Sequence, residues 1–136
     1  LKLKIAGTGK DTLRLKSLAN QNIEFLGFVS DDQLWDLMQH AKAFIFPGIE
    51  DFGITPVEAM GRGCPVIAKN AGGLTETVLH NKTGFLYDGT IESLKLIVRE
   101  FEKNHTINFD DCVSRAEIFS DATFKENFKK IIRDNV

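Results

Sequence analysis

Long apolar runs are missing from this chain. No stretch approaches the roughly 20 residues that a bilayer-spanning helix requires, so nothing in it reads as a transmembrane segment. The opening Leu1-Lys2-Leu3-Lys4 has no signal-peptide organisation. Cysteine is scarce: Cys64 and Cys112 stand alone, without metal or redox spacing, and are expected as free thiols in a reducing compartment. His40, His80 and His105 are scattered and form no ligand cluster. An excess of basic charge is also absent, since the net charge is −2, which argues against nucleic acid as the main partner. Repeats and low-complexity linkers are lacking. What remains is a chain of 136 residues, 43% hydrophobic and 26% charged, in the range of one soluble globular domain with a core of its own.

The apolar residues fall into short runs separated by helical patterns. Leu3, Ile5 and Ala6 make a strand ending in Gly7-Thr8-Gly9, and Leu13, Leu15, Leu18 and Ala19 suggest an amphipathic helix to about Asn20. The dinucleotide-binding fingerprint calls for a further glycine where Thr12 stands, so a nicotinamide reading is poor. A plain strand-to-helix turn and a nucleotide contact both fit Gly7 and Gly9. Ile23-Glu24-Phe25-Leu26 is the next strand, and Ser30-Asp31-Asp32-Gln33 reads as a capping box opening a helix with Leu34, Leu37, Met38 and Ala41 on one face. Trp35 lies mid-helix and is read as packing rather than as a sugar platform. Further strands are expected at Ala43–Phe46, Pro65–Ala68 and Phe85–Tyr87. After Thr90 the pattern is helical through Ile91, Leu94, Ile97, Val98 and Phe101. A polar break follows at Asn104–Phe109. A last helix is expected from a capping box at Thr123–Glu126, with Phe124, Phe128, Ile131 and Ile132 inward and Lys125, Lys129, Lys130 and Arg133 solvated. Alternation of strand and helix argues a parallel sheet covered by helices on both faces.

The most informative stretch runs from Pro47 to Pro65. Pro47 stops the buried strand, a loop rich in glycine and acid follows, and a helix begins. Thr55 reads as its N-cap and Pro56 as its first residue, where the missing N–H does no harm. A helix N-terminus over a strand tip offers free N–H groups and the positive end of a dipole, which suits a phosphate. Glu50 and Glu58 lie in this stretch. Thr55-Pro56-Val57-Glu58 fits a capping box, which by itself explains Glu58; Glu50 has no capping role and reads otherwise as a solvated loop carboxylate.

Five segments in order, Ile5-Ala6-Gly7-Thr8-Gly9, Phe25-Leu26-Gly27-Phe28-Val29-Ser30, Glu50 to Met60, Gly63-Cys64-Pro65-Val66-Ile67-Ala68 and Gly72-Gly73-Leu74-Thr75-Glu76, resemble the retaining nucleotide-sugar glycosyltransferases of family 4, which have the two-domain GT-B architecture. The resemblance implies an α/β fold: a Rossmann-like parallel sheet forming the donor-binding half of a GT-B enzyme. The family's first strand–helix unit, with its diphosphate-binding basic residues, and its N-terminal acceptor-binding domain are absent from these 136 residues. With a family strand order of 3-2-1-4-5-6, Leu3–Ala6 and Ala43–Phe46 would then flank an empty slot rather than pair with each other.

By the same resemblance Glu50 is the catalytic residue, contacting donor-sugar hydroxyls and stabilising positive charge at the anomeric carbon, with Asp51 the weaker competitor. Glu58 would accept hydrogen bonds from the two ribose hydroxyls. Phe52, Gly53 and Ile54 would offer backbone N–H groups, Thr55 its hydroxyl, Gly7 and Gly9 a nucleotide contact, and Val29 a backbone contact to the base. Glu76 would cap or orient the Gly72-Gly73 loop, or serve structure alone. No metal and no cofactor are implied, the partner being a nucleotide sugar with GDP-mannose as first choice, because the wording is closest to bacterial mannosyltransferases. The implied place is cytoplasmic, with peripheral membrane association of the full-length protein. Two readings follow: part of an enzyme transferring a hexosyl group with retention to a glycan or lipid-linked acceptor, or a non-catalytic nucleotide-sugar binding module. A related sugar-nucleotide epimerase fits the Phe52-Gly53 wording less well.

Overall fold

Each apolar run sits in a parallel ladder, and each helical pattern lies in a crossover between strands or follows the last one. The computed structural model describes residues 1–103 and 107–135. It divides into two compact units, Leu1–Leu37 and Met38–Val136.

In the first unit, β1 (Leu3–Ala6) runs parallel to β2 (Ile23–Gly27), with Leu3 opposite Ile23 and a register shift after Ile5. Between them lies α1 (Thr12–Leu18). Its leucines do share the expected helical pattern, yet none is buried, and Leu13 is 83% exposed. The helix α2 (Asp31–His40) opens on the expected capping box: the Ser30 N–H donates to Gln33 Oε1 at 3.0 Å and the Gln33 N–H donates to Ser30 Oγ at 3.3 Å. The division between the units falls within α2, after Leu37.

In the second unit, β3 (Phe44–Phe46), β4 (Val66–Lys69) and β5 (Gly84–Tyr87) form a parallel sheet in the order β3-β4-β5. Ile45, Ile67 and Phe85 are register partners and share a face, because successive side chains of a strand point to opposite sides. Helix α5 (Ile91–Lys103) covers that face with Leu94, Ile97, Val98 and Phe101. Val66 and Ala68 alternate onto the other face, and α3 (Ile54–Gly61), with Ala59 and Met60 fully buried, packs on β3 and β4. Full burial of side chains the size of Val66 and Met60 contributes about 1.5–3 kcal/mol each. The start of α5 is tied by Asp88, whose carboxylate accepts from the Thr90 N–H at 2.8 Å and the Thr90 hydroxyl at 2.7 Å. Those bonds, the backbone one foremost, hold the Asp88 carboxyl below its usual range.

The ladders are β1-β2 and β3-β4-β5, and among the described residues none joins β1 to β3. Two features depart from expectation at the C-terminal end. A helix not anticipated from the sequence, α6 (Phe109–Glu117), is capped by Asn108, whose side chain accepts from the Asp110 N–H. It packs on α3, and the Phe109 ring lies over Gly63, where a Cβ would be 1.9 Å away. The last helix, α7 (Asp121–Asp134), starts two residues before Thr123, because Ser120 is its cap and accepts from the Thr123 N–H at 3.2 Å. Its Phe124, Phe128, Ile131 and Ile132 are exposed rather than inward, since no element among the described residues covers that face. Of the polar break expected at Asn104–Phe109, residues 104–106 lie outside the described residues. No helix among the described residues is long and apolar enough to cross a membrane.

Candidate functional site

The loop between β3 and α3 turns into its helix at Gly53, not at Thr55. Gly53 has φ +83°, a left-handed conformation that costs glycine nothing, and it supplies the first helical acceptor, to the Val57 N–H at 3.4 Å. No side chain caps the helix, so the expected Thr55 cap and the Thr55–Glu58 capping box are both absent. Pro56 is consequently the third helical residue, still within the turn whose N–H groups have no intrahelical partner. The N–H groups of Phe52, Gly53, Ile54 and Thr55 have no partner among the described residues. They stand at the positive end of α3, where an anion is stabilised by both hydrogen bonds and the helix dipole.

Glu50 and Asp51 are exposed on the same loop, and the Glu50 carboxylate has no partner among the described residues. Its backbone does have one. The Gly73 N–H donates to the Glu50 carbonyl at 2.8 Å, just before the short helix α4 (Leu74–Thr77). This close approach needs glycine: a Cβ on Gly73 would lie 2.2 Å from the Asp51 carbonyl oxygen, and one on Gly72 2.4 Å from that of Glu50. The Gly72-Gly73 turn therefore backs the acidic loop, a role the sequence reading did not give it. Glu76 does not cap this turn with its carboxylate. Its N–H donates to the Gly73 carbonyl at 3.0 Å, and its own carbonyl accepts from Arg115.

Together Phe46, Glu50, Asp51, Phe52, Gly53, Ile54, Thr55 and Pro56 line a cleft of about 280 Å³. Five residues singled out from the sequence, Glu50, Phe52, Gly53, Ile54 and Thr55, thus meet in one place. Glu58 is not among the lining residues. It stands exposed on α3 with no partner for its carboxylate among the described residues, so the capping account of it is gone.

Gly7, Gly9 and Val29 belong to the first unit. The Gly7 N–H donates to the Gly27 carbonyl at 2.6 Å and the Gly9 N–H to Thr12 Oγ1 at 3.0 Å. Both donors are used internally, so these glycines offer a close approach of backbone rather than hydrogen bonds. A Cβ at Gly9 would meet nothing within 4 Å. Val29 is half-buried between β2 and α2.

Sequence reasoning missed Arg115 and Phe119. Arg115 Nε donates to the Thr77 carbonyl at 3.0 Å and Nη2 to that of Glu76, and its guanidinium lies over the Phe119 ring, 5.0 Å from the centroid. Phe119 meets Phe52 edge-to-face, with centroids 5.5 Å apart. The available signal was Asn108 followed by Asp110 and Asp111, a cap and an acidic first turn that announce α6. Cys64 and Cys112 are free and buried, and burial pushes their thiols up to about 12 and about 11.

The family described as "Glycosyl transferases group 1" matches residues 1–118. The human "Alpha-1,3/1,6-mannosyltransferase ALG2" is 33% identical over 117 residues, covering 82% of this chain and 28% of that protein. The Mycobacterium tuberculosis "GDP-mannose-dependent alpha-(1-6)-phosphatidylinositol monomannoside mannosyltransferase" is 38% identical over 100 residues, covering 64% of this chain and 26% of its own. Among solved structures, the "lipopolysaccharide outer core galactosyltransferase WaaB apo form" superposes with a TM-score of 0.87 at 22% identity, over 99% of this chain and 41% of that one. Anabaena Alr3699/HepE, solved in complex with UDP-glucose, gives 0.77 at 24% identity, over 98% of this chain and 41% of its own. The chain thus spans less than half the length of each of these proteins, and its fold is that of GT-B glycosyltransferases.

Proposed function

Because this chain belongs to the group 1 glycosyltransferases, we propose that it is the donor-binding part of an enzyme that takes a hexosyl group from a nucleoside-diphosphate sugar and transfers it with retention. The observation that carries the reading is the cleft in which the Glu50 loop meets the unpartnered N–H groups of Phe52 to Thr55. Those N–H groups and the α3 dipole suit the distal phosphate and the sugar. Glu50 faces a donor sugar as an unpaired carboxylate, able to bond sugar hydroxyls and stabilise the positive charge that develops at the anomeric carbon. The leaving diphosphate accepts the proton of the incoming hydroxyl while the anomeric C–O bond breaks and the new one forms on the same face. Glu58, with both carboxylate oxygens free, suits the paired ribose hydroxyls.

The GDP-mannose dependence of the Mycobacterium tuberculosis relative supports GDP-mannose as donor, and its phosphatidylinositol monomannoside substrate supports a lipid-linked acceptor. Acceptor contacts belong to a further N-terminal domain in this reading, and transfer is a property of the full-length protein. Titration of that protein with GDP-mannose, UDP-glucose and their free nucleotides tests the donor. Tighter binding of GDP-mannose, with an α-linked product seen by NMR, is expected. Binding of none of them, or inversion at the anomeric carbon, would overturn the reading.

A further inference from the structure

Two independent contacts hold the short Glu50–Asp51–Phe52 stretch from behind, and both lead to Arg115. On one side the Gly73 N–H holds the Glu50 carbonyl, and Gly73 begins the α4 turn whose last two carbonyls, Glu76 and Thr77, receive the Arg115 guanidinium. A cation bonded to the carbonyl end of a helix satisfies acceptors that have no other partner there and complements the dipole. On the other side the Phe52 ring rests edge-to-face on Phe119, and Phe119 is covered by the same guanidinium. Arg115 is thus the point where the two supports meet.

Phe119 itself is not free to follow Phe52. It sits at the corner between α6 and α7, its N–H donating to the Ala116 carbonyl at 2.9 Å. The next residue, Ser120, is the cap of α7, and the Thr123 hydroxyl donates back to the Glu117 carbonyl at 3.1 Å. The corner is therefore stitched on both sides of the ring. In turn α6 is seated on α3, the helix whose N-terminus completes the cleft. The ring pair draws Phe52's side chain to the α6–α7 corner while its backbone N–H stays on the cleft.

We propose that Arg115 and Phe119 are positioning residues that fix the Glu50–Gly53 loop, setting the Glu50 carboxylate and the Phe52 and Gly53 N–H groups at the donor. The inference rests on the functional reading above only for its enzymatic consequence; the fixing of the loop stands apart from it. An edge-to-face pair is worth about 0.5–1.5 kcal/mol, so removing the Phe119 ring should raise the population of the open loop by up to about tenfold.

The test uses the full-length protein, wild type against Phe119→Ala, Phe119→Tyr and Arg115→Met. Hydrogen exchange at the Gly73 amide, which donates to the Glu50 carbonyl, is followed, together with acceptor-independent release of GDP from GDP-mannose by water, and Kd for free GDP. For Phe119→Ala we expect exchange at Gly73 to rise by up to about tenfold, kcat to fall by more than GDP affinity does, and Phe119→Tyr to restore both. Arg115→Met should act in the same direction. Should Phe119→Ala fail to fold, Phe119→Leu removes the ring and keeps apolar volume. A lowered Tm with unchanged exchange at Gly73 would overturn the proposal, as would faster exchange with unchanged kcat in an active parent. Faster exchange in a protein that binds and cleaves no nucleotide sugar would uphold the fixing of the loop and fell the functional reading instead.

Discussion

Replacing Gly73 by alanine puts the hardest question to the site as described. The added Cβ would sit 2.2 Å from the Asp51 carbonyl oxygen and 2.7 Å from Phe52 Cα. These are backbone atoms and cannot swing aside as a side chain would. An ordinary carbon–oxygen approach is about 3.3 Å, so the loop must retreat by about 1 Å. That retreat breaks the bond from the Gly73 N–H to the Glu50 carbonyl, now 2.8 Å. A lost hydrogen bond of this kind is worth about 0.5–1.5 kcal/mol and overpacking about 1–3 kcal/mol, so a loss of about 2–4 kcal/mol is expected. The chemical effect should be larger in proportion, because a misplacement of about 1 Å at a reacting centre lowers rates by about 100-fold. Thermal denaturation and donor-cleavage kinetics on the full-length protein measure both, with Gly61→Ala as the control at a glycine whose added Cβ would meet only Ala116 Cβ, at 3.6 Å. A Gly73→Ala protein with unchanged Tm and turnover would refute the claim that this turn backs the loop.

Three further outcomes follow from the same structure. Glu50→Ala and Glu58→Ala should both leave Tm within about 1 °C, since neither carboxylate caps a helix or pairs with a neighbour. Glu50→Ala should lower kcat at least about 100-fold with little change in nucleotide affinity, while Glu58→Ala should weaken GDP binding about tenfold or more, as charged hydrogen bonds are worth about 1.5–3 kcal/mol; equal effects on both constants would merge the two roles. Gly9→Ala should fold normally yet weaken nucleotide binding if backbone approaches the donor there, which calorimetry decides. Cys64, whose thiol burial lifts from 9.0 to about 12, should resist iodoacetamide in the folded protein at pH 8 and react once unfolded. The stability from keeping it protonated is complete below pH 9 and is lost as pH rises from there toward 12, so chemical denaturation should show declining stability through that window.

Short apolar runs bounded by glycine and proline were enough to place all five strands: β4 and β5 are mostly buried and mostly apolar, while β1 and β2 interrupt their runs only at Lys4 and Glu24. The cleft was legible as well, since a strand tip, a glycine and an acid were adjacent in sequence. Close approaches between distant segments were not. Gly73 against Asp51, and Arg115 against Thr77, depend on where loops far apart in sequence come to lie, and no local pattern encodes that distance. The cap at Gly53 was misplaced because Thr55 has a good capping side chain, while glycine enters a left-handed turn without any side chain to signal it. The apolar face of α7 was read as inward because periodicity reports amphipathicity and says nothing of what stands opposite.

The regularity of the ladders carries a kinetic consequence. Leu3 pairs with Ile23, Phe44 with Val66 and Val66 with Gly84, so every ladder joins residues about twenty positions apart and none reaches across the chain. The entropy lost on closing a loop grows only as the logarithm of its length, so each of these closures meets nearly the same barrier. No ladder among the described residues has to wait for the rest of the chain. As the polypeptide emerges from the ribosome, β2 can dock on β1, β4 on β3 and β5 on β4 once each intervening crossover has been made, and within each ladder assembly then follows the order of synthesis.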